Sequence, residues 1–551
     1  MVSVLFNWIY IAVTTFCLGV GCSAVIEKVF DYRIKRIDSL LIAGIIVATV
    51  YAQYFSLVSG VGLIANIVLV LVCIIVIFLC HKSIREYLIK AKKSYSLPKI
   101  IVLFVFVLLW AYFTSRGPIH IDTDLYHAQS IRWIEEYGVV PGLGNIHERF
   151  AYNSSFFALS ALYSMKFLVG QSLHTVSGFF ALLLSITELD ITKSWKKHRF
   201  ELVDYASLGA IYYLFTITDE VISPASDYSI MCMIFFVTIK WLDLLAQKEK
   251  DIAPYALLCV VGVYALTLKL TAGLVLILLI KPAYMLIREK RVKQIVIYLC
   301  MGLLVAIPWF TRTVVISGWL LYPFPALDLF NFDWEMNAEL IAVDAAQISV
   351  WGKALYDISL VDTPITKWLP NWFSTTLSGT EKFLILGNMF GTILYVVALI
   401  WIAVKRKTEH LDMILVFGMI VCSYLFWQLS APLMRYGYAY VLLLDFLLIG
   451  YILTNMNLQK VEVVVYFVIL LYGGYKLLRT GEYIYNCRLV DSYIWQSEYG
   501  KYEMETYEID GITFYKPVYG ALSGYDMFPA TPTKEEVELR GKKIEDGFRR
   551  K

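Results

Sequence analysis

Apolar runs long enough to cross a lipid bilayer recur along most of the chain. A transmembrane helix needs about 20 predominantly apolar residues, within a range of roughly 17–25. About fourteen runs fit that length, near residues 3–25, 38–57, 61–80, 99–115, 172–191, 203–218, 228–246, 252–268, 270–287, 294–312, 384–404, 411–429, 438–455 and 461–478. Hydrophobic residues make up 59% of the chain and charged residues only 17%, which is more apolar surface than a soluble domain can bury. The sequence therefore predicts an all-α polytopic membrane protein.

The basic residues between these runs predict which loops face the cytoplasm. They cluster in the connections HKSIREYLIKAKK, QKEK, REKRVK, VKRK and NLQK, and cytoplasmic loops carry an excess of Lys and Arg. The stretch 154–170 decides the number of membrane spans and the side on which each later loop lies. If it is an interfacial helix, the basic loop KSWKKHR is cytoplasmic, whereas a spanning helix there would place that loop outside. We interpret it as interfacial, which leaves the N-terminus and the longer loops extracytoplasmic.

The predicted spans divide the chain into six segments. Residues 1–115 and 172–317 hold the N-terminal and central transmembrane helices, and residues 381–479 hold the C-terminal ones. Between them lie three soluble segments, which are a catalytic loop with interfacial helices at 116–171, an aromatic loop at 318–380, and a tail or small domain at 480–551. The aromatic loop is rich in Trp and Pro, a composition suited to packing over a bilayer surface.

Charge and motif content exclude several functional classes. The formal net charge is +3 and no basic patch interleaved with aromatics stands out, so a nucleic-acid partner is not expected. The cysteines fall mainly in apolar runs and lack the spacing of metal ligands. The sequence contains no HExxH, CxxC or Gly-rich phosphate loop, so neither zinc-dependent hydrolysis nor nucleotide hydrolysis is expected. The N-terminus lacks the basic region of a cleaved signal peptide, so we expect a retained first helix.

The longest polar passage before residue 318 is PIHIDTDLYHAQSIRWIEEYGVVPGLGNIHERFAYNSSFF, residues 118–157. Asp122 and Asp124 stand two residues apart at its start. The apolar and aromatic spacing of LYHAQSIRWIEEY predicts a helix that lies on a membrane surface, and Pro141 and Gly142 end it. We interpret this passage as a catalytic loop held against one face of the bilayer.

The acidic pair has two readings that its spacing leaves open. Asp and Thr are favoured N-caps, so Asp122 and the following Thr could simply stabilise the helix by about 1 kcal/mol. Two carboxylates this close could also bind a divalent cation through oxygen ligands, or one of them could act as a general base. The functional reading needs support from other residues.

Three cations in otherwise apolar surroundings map to the same, extracytoplasmic side. They are Lys269, Arg312 and Arg435. Each could snorkel to the interface or pair with an acid of the TDEVISPASD turn, such as Asp227. Together with an aspartate pair they would also suit a lipid phosphate or diphosphate, because arginine offers bidentate contacts and lysine a point charge.

Histidines and a sequon near the loop add further candidates. His120, His127 and His147 lie in the same passage, and His127 follows Asp124 by three residues, which places both on one helix face. The two could form a ligand pair or an acid–base relay, or His127 could be one exposed imidazole beside a cap. Asn153 begins a glycosylation sequon, Asn153-Ser154-Ser155, although we expect this tripeptide to cap the following apolar helix.

The motifs of this chain resemble those of the GT-C superfamily of membrane glycosyltransferases. The resemblance rests on DTD followed by LYH in the first long loop, on PWFTR running into GWLLYPFP, and on APLMRY. That superfamily includes protein O-mannosyltransferases, aminoarabinose transferases and the catalytic subunits of oligosaccharyltransferases. In detail the chain looks most similar to an uncharacterised bacterial branch, to which residues 122–157 and the tail sequence LRGKKIEDGFR are also similar.

The resemblance implies a fold, a reaction and a location. The fold is a bundle of about 12–14 transmembrane helices with a long first extracytoplasmic loop that carries interfacial helices. The reaction moves a hexosyl or pentosyl group from a polyprenyl-phosphate donor to a glycan, lipid or protein acceptor of the cell envelope, by a single inverting displacement. The location is a bacterial inner membrane, with the active site on its extracytoplasmic side.

The resemblance also assigns roles to residues. Asp122 best matches the catalytic aspartate and Asp124 is the next best, and several relatives have adjacent Asp-Glu where this chain has Asp-Thr. The same pair could hold a divalent cation such as Mg or Mn. Binding of substrate or phosphate is assigned to Tyr126, His127, Lys269, Arg312 and Arg435, and support or acceptor roles to Asp227, Arg132 and Asn153.

Other classes of membrane protein compete with this hypothesis. A transporter or flippase of lipid-linked or anionic substrates predicts charges spread through the bilayer and often repeated halves, whereas here the charges cluster on one side and no halves repeat. A polysaccharide polymerase or ligase shares the substrate, the compartment and the outer arginines, and only the DTD motif weighs against it. A purely structural membrane protein would leave the outer charges without a role.

Overall fold

The computed structural model describes residues 1–118, 120–191, 200–324, 326–405, 410–455, 459–486 and 493–551. The chain is mostly helical, at 71%, with little sheet. Its α-helices are α1 Val2–Phe30, α2 Ile37–Ser56, α3 Leu63–Ser94, α4 Leu97–Thr114, α5 Ala128–Glu136, α6 Ser155–Tyr163, α7 Lys166–Val169, α8 Val176–Glu188, α9 Leu202–Thr216, α10 Ser226–Ala246, α11 Ile252–Leu268, α12 Ile280–Arg288, α13 Val292–Ser317, α14 Ala338–Gly352, α15 Ile365–Thr375, α16 Gly379–Lys405, α17 Leu411–Ser430, α18 Tyr438–Asn455 and α19 Gln459–Asn486.

Nine helices within the described ranges are long and apolar enough to cross a membrane, by length and composition. They are Val2–Phe30, Ile37–Ser56, Leu63–Ser94, Leu97–Thr114, Ser226–Ala246, Leu270–Arg288, Val292–Ser317, Gly379–Trp401 and Leu411–Ser430. The predicted all-α polytopic architecture agrees with these helices. Four shorter apolar segments also occur, at Ser155–Val169, Val176–Glu188, Ile252–Leu268 and Tyr438–Thr454. The predicted 12–14 spans therefore exceed the nine that meet the length criterion.

Helices α1 and α2 pack closely because glycines face their contact. A Cβ atom at Gly44 would overlap the carbonyl oxygen of Thr15, and one at Gly19 would overlap the carbonyl oxygen of Leu40. Small residues let helix backbones approach each other inside a membrane, where van der Waals packing drives association. The earlier residue of α1, Thr15, meets the later residue of α2, Gly44, whereas Gly19 meets Leu40. The two helices are therefore antiparallel.

Ion pairs and polar contacts between α2, α10, α11 and α13 fix the two ends of the bundle. At one end Lys240 pairs with Asp38; we call this the basic end. At the other end Arg312 donates to Ser56 and Lys269 pairs with Asp227; we call this the loop end. Helix α10 therefore runs opposite to α2, α11 and α13.

The helix predicted behind the acidic pair is present, but it is buried. A π-helical turn, Thr123–His127, leads into α5. One side of α5 packs against α6, and on the other side Trp133 meets Phe528 of the tail with ring centroids 4.9 Å apart. The apolar residues Ile131 and Ile134 pack in the same hydrophobic cluster as α6, so protein covers the face that the sequence pattern assigned to lipid, and the location of this helix at a membrane surface stays a prediction.

The stretch 154–170 forms α6 and the short α7. All nine residues of α6 are buried, and at about 1.5 Å per residue the helix falls well short of a bilayer core of about 30 Å. Of the two readings of this stretch, a spanning helix is therefore disfavoured, whereas the interfacial location stays a prediction for α6, which is enclosed by α2, α5 and α8. Its N-cap is Ser154, whose side chain accepts the backbone N–H of Phe156, so the sequon caps the helix as expected, through its second residue.

The aromatic loop directs most of its tryptophans inward. Trp319 donates to the carbonyl oxygen of Met336 at 2.9 Å, and Trp372 donates to that of Pro432 at 3.0 Å. Both indoles are buried, whereas Trp351 is 58% exposed. These aromatic residues therefore build a core at the loop end, and only part of the loop presents aromatic surface outward.

The tail forms two small antiparallel sheets and shares its core with both loops. Strands β1 Met504–Ile509 and β2 Ile512–Pro517 pair through a tight turn at Asp510 and Gly511, both with positive φ, and β3 Val537–Leu539 pairs with β4 Phe548–Arg550. One hydrophobic cluster joins residues of the first loop, the aromatic loop and the tail, including Trp133, Phe150, Trp319, Met336, Phe514 and Phe548. The described tail is thus packed into the loop end and has no core of its own.

Candidate active site

A π-helical turn at the start of the first loop sends the two aspartates to different partners. The turn covers Thr123–His127, with Asp122 at its N-terminal boundary and no side-chain cap there. π-helical turns carry an extra residue per turn and often occur at functional sites. Neither aspartate caps the helix, so the capping role left open by the sequence is not the one these carboxylates have.

Asp122 faces the bundle and meets Arg435. Arg435 Nη2 donates to Asp122 Oδ2 at 2.8 Å, and the Asp122 backbone N–H donates to His120 Nδ1 at 3.2 Å. Burial raises the pKa of Asp122, but the attraction of His127 in its protonated form and of the Arg435 guanidinium outweighs that effect, and the pKa lies below its usual value. Asp122 is therefore ionised at neutral pH.

Asp227, at the start of α10, holds the two cations of the cluster together. It pairs with Lys269, which follows α11, and its Oδ2 lies 3.6 Å from Arg435 Nε. Lys269 Nζ also lies 3.3 Å from the ring centroid of Tyr436, a cation–π contact. The pairing with Asp227 that the sequence offered as an alternative is therefore present.

The result is a chain of alternating charges at the loop end. It runs Asp122, Arg435, Asp227, Lys269, and we call these four residues the charge cluster. Their side chains are between 10% and 25% exposed, so water reaches the cluster only in part. Buried charges persist when they are paired and hydrogen-bonded, and here each charge has an opposite neighbour. The arrangement fixes two cations whose charge is already partly balanced.

Asp124 faces the tail instead. Its carboxylate accepts the Tyr502 hydroxyl at 2.7 Å and the Gly500 N–H at 3.3 Å. Its backbone carbonyl accepts the N–H groups of Ser523 and Gly524 at 2.8 and 2.9 Å. Burial raises the pKa of Asp124, and these hydrogen bonds offset only part of that effect. Asp124 is thus an anchor for the tail, with no contact to the charge cluster among these partners.

Arg132 and Gln129 of α5 extend the same anchor. Arg132 donates to the backbone carbonyls of Tyr525 and Asp526, and its guanidinium stacks over the Phe528 ring at 4.8 Å. Gln129 donates to the Gly524 carbonyl at 3.1 Å. The Arg132 guanidinium therefore contacts the tail, and its predicted support role in catalysis stays a prediction.

His127 is buried beside the charge cluster, with its Nδ1 unpartnered among the described residues. Burial lowers the pKa of His127 to about 3, so the imidazole is neutral at pH 7. The Asp124 carboxylate accepts hydrogen bonds from Tyr502 and Gly500, which argues against the predicted Asp124–His127 relay. The Tyr126 ring packs edge-on against the His127 imidazole at 4.3 Å.

A second acidic group, unrecognised in the sequence, adjoins Tyr126. Asp344 of α14 accepts hydrogen bonds from the hydroxyls of Tyr152 and Tyr322, the latter at 2.9 Å. Arg149 Nε lies 3.7 Å from Asp344 and its guanidinium lies 5.9 Å from the Tyr126 ring centroid. Two signals could have indicated this group, the lone carboxylate in the apolar helix IAVDAAQIS and the arginine in HERFAYN.

Arg312 lies in a separate polar group. Its Nε donates to Asn153 Oδ1 at 3.1 Å and its Nη1 donates to Ser56 Oγ, while Asn153 donates to the Trp309 carbonyl oxygen and the Thr313 hydroxyl. Arg312 is 2% exposed, and no carboxylate pairs with it in the described part of the chain. Asn153 is buried by these contacts and is not presented as a glycosylation site.

The donors needed for a metal site do not converge at the acidic pair. Asp122 contacts Arg435 and His120, whereas Asp124 contacts Tyr502 and Gly500. No group of three or more His, Cys, Asp or Glu side chains suited to a metal ion occurs among the described residues. The predicted shared ligation of Mg or Mn by Asp122 and Asp124 therefore does not fit this arrangement.

Comparison with known proteins places the chain in a family. A family model described as Domain of unknown function (DUF8201) matches residues 1–442. That range includes the charge cluster and Arg312 and stops before the tail. Neither a curated protein nor a solved structure matches the chain. The chain therefore belongs to the DUF8201 family.

Proposed function

We propose that the chain is a membrane glycosyltransferase of the GT-C type. It transfers a sugar from a polyprenyl-phosphate-linked donor to a cell-envelope acceptor at the extracytoplasmic face of a bacterial inner membrane, with inversion at the anomeric carbon. One observation carries the proposal. An ionised aspartate of the first loop, Asp122, is held 2.8 Å from Arg435 in a half-buried cluster at the loop end of an apolar helix bundle.

Asp122 is the proposed base. The acceptor hydroxyl oxygen forms a bond to the anomeric carbon while the bond from that carbon to the phosphate oxygen breaks, and the electron pair leaves with the phosphate. The proton of the hydroxyl passes to Asp122, whose pKa below the usual value makes it carboxylate before the reaction. Asp124 is unsuited to this role because Tyr502 and the tail backbone occupy its oxygens.

Arg435 and Lys269 are the proposed phosphate-binding cations. Both are oriented in advance by Asp227, and groups fixed before the reaction need no reorganisation as charge develops on the leaving phosphate. Since each is already ion-paired, the donor phosphate has to share them with Asp122 and Asp227. We expect affinity for the donor to depend on its lipid chain as well as on its charge.

One observation favours the rival transporter. Asp445 is buried within the apolar helix α18, with its Oδ1 unpartnered in the described chain. Ionisable residues inside a membrane-spanning segment commonly mark a transport pathway. The charge cluster at the loop end has no such connection to Asp445 among the observed contacts, so the glycosyltransferase remains our proposal.

The test uses purified protein reconstituted into vesicles and a panel of polyprenyl-phosphate sugars. Release of polyprenyl phosphate together with a glycoside of inverted configuration, read by NMR, is the expected result. Retained configuration in the product would contradict the single displacement. Movement of an intact donor across the vesicle membrane, with neither product formed, would instead support the transporter.

A further inference from the structure

A cleft of about 500 Å³ opens at the basic end, opposite the charge cluster. Its walls come from α1, α2, α10, α11 and α13, and they are largely apolar. Ligand pockets in proteins usually enclose about 300–1,000 Å³, so the cleft has room for part of a small molecule. None of the residues proposed for sugar transfer lines it.

The depth of the cleft corresponds to one leaflet of a bilayer. Along α2 its lining extends from Ser39 to Val50, which is about 16 Å at 1.5 Å per residue. The hydrocarbon core of a bilayer is about 30 Å thick. On α13 the lining includes Leu304, which is 58% exposed, so the cleft also opens sideways, between α2 and α13, toward the surrounding lipid.

The mouth of the cleft is charged. Lys35, Arg36 and Lys240 line it, together with the acids Asp243 and Glu249. Lys240 is neutralised by Asp38, and Arg36 by Asp38 and Asp190. Lys35 is exposed and has no ion-pair partner in the described ranges.

One of the two acids at the mouth, Glu249, is held by backbone hydrogen bonds. Glu249 Oε1 accepts the backbone N–H groups of Lys250 and Asp251 at 2.8 and 2.9 Å, so its charge is engaged by the turn between α10 and α11. Asp243 lies one helical turn beyond Lys240. Further basic residues, including Lys290, Arg291 and Lys293, stand at the same end of the bundle. Basic pockets between transmembrane helices attract anionic lipid head groups.

We propose that this cleft binds an anionic glycerophospholipid of the surrounding bilayer. One acyl chain lies against α2, α11 and α13, and the phosphate lies beside Lys35, with the Ser39 hydroxyl close by. The depth of about one leaflet suits an acyl chain that ends at the bilayer midplane. A polyprenyl chain is several times longer and would extend far beyond the cleft, which favours a glycerophospholipid over the sugar donor as occupant.

The experiment measures lipid retention by the full chain. The protein is purified in neutral detergent and given equal amounts of phosphatidylglycerol and phosphatidylcholine, and bound lipid is counted by native mass spectrometry. We expect one phosphatidylglycerol to be retained in preference to phosphatidylcholine. Lys35→Glu should reduce that preference by roughly fivefold or more, the effect of at least one cation near an anionic group.

Two further variants separate the cleft from general attraction to a basic surface. Ala43→Phe places a ring in the apolar part of the cleft and should abolish retention, whereas Lys293→Glu, at the same end on an exposed site outside the lining, should preserve it. Equal retention of both lipids, or retention unchanged in both Lys35→Glu and Ala43→Phe, would overturn the proposal. Displacement of phosphatidylglycerol by equimolar polyprenyl phosphate would also overturn the proposal, because the cleft would then bind a polyprenyl lipid and not a glycerophospholipid. None of these outcomes bears on sugar transfer, which has its own assay.

Discussion

Arg435 Nη2 lies 2.8 Å from Asp122 Oδ2, although the two residues are 313 positions apart in the chain. The same side chain reaches Asp227 at 3.6 Å. One arginine from the connection between α17 and α18 therefore joins the first loop to the start of α10. This contact can form only after both halves of the bundle have assembled, so the candidate active site depends on the complete helix arrangement.

The pair formed by Asp227 and Lys269 should behave as a coupled unit. Lys269→Met leaves a buried carboxylate with Arg435 alone, and Asp227→Asn removes the acid shared by both cations, so each single change should cost up to about 3–5 kcal/mol of stability. The double variant should cost less than the sum of the two. Thermal unfolding of all four proteins in detergent measures the coupling.

A surface pair provides the control for that cycle. Arg549 and Glu538 of the tail lie 2.7 Å apart, but their side chains are 44% and 34% exposed, so we expect little measurable coupling between them. Additive effects of the Asp227 and Lys269 substitutions, indistinguishable from those of the surface pair, would contradict the idea that the charge cluster is a cooperative element.

Loss of the Asp124 anchor should loosen the tail without removing the bundle. Tyr502→Phe deletes a hydroxyl that donates to a carboxylate at 2.7 Å, a loss of about 1–3 kcal/mol. Gly500→Ala would bring a Cβ atom against Asp124 Oδ2. Both variants should expose residues 493–551 to limited proteolysis faster than the native protein does.

Tyr519→Phe is the matched control, because its side chain is 81% exposed and lies in the same tail. It should leave the cleavage rate unchanged. Unchanged cleavage in Tyr502→Phe and Gly500→Ala as well would show that Asp124 does not hold the tail.

The free energy of unfolding should decrease as the pH is lowered, over a pH range set by His127. Burial lowers the pKa of His127 to about 3 in the folded protein, against 6.5 ordinarily. Between these values the unfolded chain binds a proton that the folded chain does not, so the stabilisation is present above about pH 6.5 and is lost progressively toward pH 3. The full effect is roughly 5 kcal/mol.

Unfolding measured between pH 8 and pH 4 for native protein and His127→Gln checks this prediction. The variant should show a shallower loss of stability as the pH falls, whereas His81→Gln, at an exposed histidine, should follow the native curve. Parallel curves for the native protein and His127→Gln would mean that His127 does not contribute to the acid sensitivity.

The sequence predicts the helical framework well because run length and polarity determine it directly. An apolar run such as 38–57 has few alternatives to a spanning helix, and α2 occupies Ile37–Ser56. Burial on both faces is harder to predict. The amphipathic pattern of α5 specifies one apolar face, which packs against α6. It gives no signal that the polar side is covered as well, by a tail segment whose Gly524 accepts a hydrogen bond from Gln129, 395 positions earlier.

The candidate site was predictable as a set of residue types and not as a set of contacts. The sequence singles out Asp122, Asp227, Lys269 and Arg435, which the structure brings together. It treats Asp122 and Asp124 as a pair. The π-helical turn that points them in different directions cannot be recognised from the spacing of apolar residues. Arg312 was grouped with the other cations because charge and predicted side are the same, although its neighbours are neutral.

The central claim is that Asp122 acts as the base in sugar transfer, and the most direct test is one rate comparison. Release of polyprenyl phosphate from an accepted donor is measured for the native protein, for Asp122→Asn, and for Asp333→Asn, which alters an acid of the aromatic loop that pairs with Arg540. We predict a loss of about 10²–10⁴-fold for Asp122→Asn and native release for Asp333→Asn. Native release by a folded Asp122→Asn protein would contradict the account.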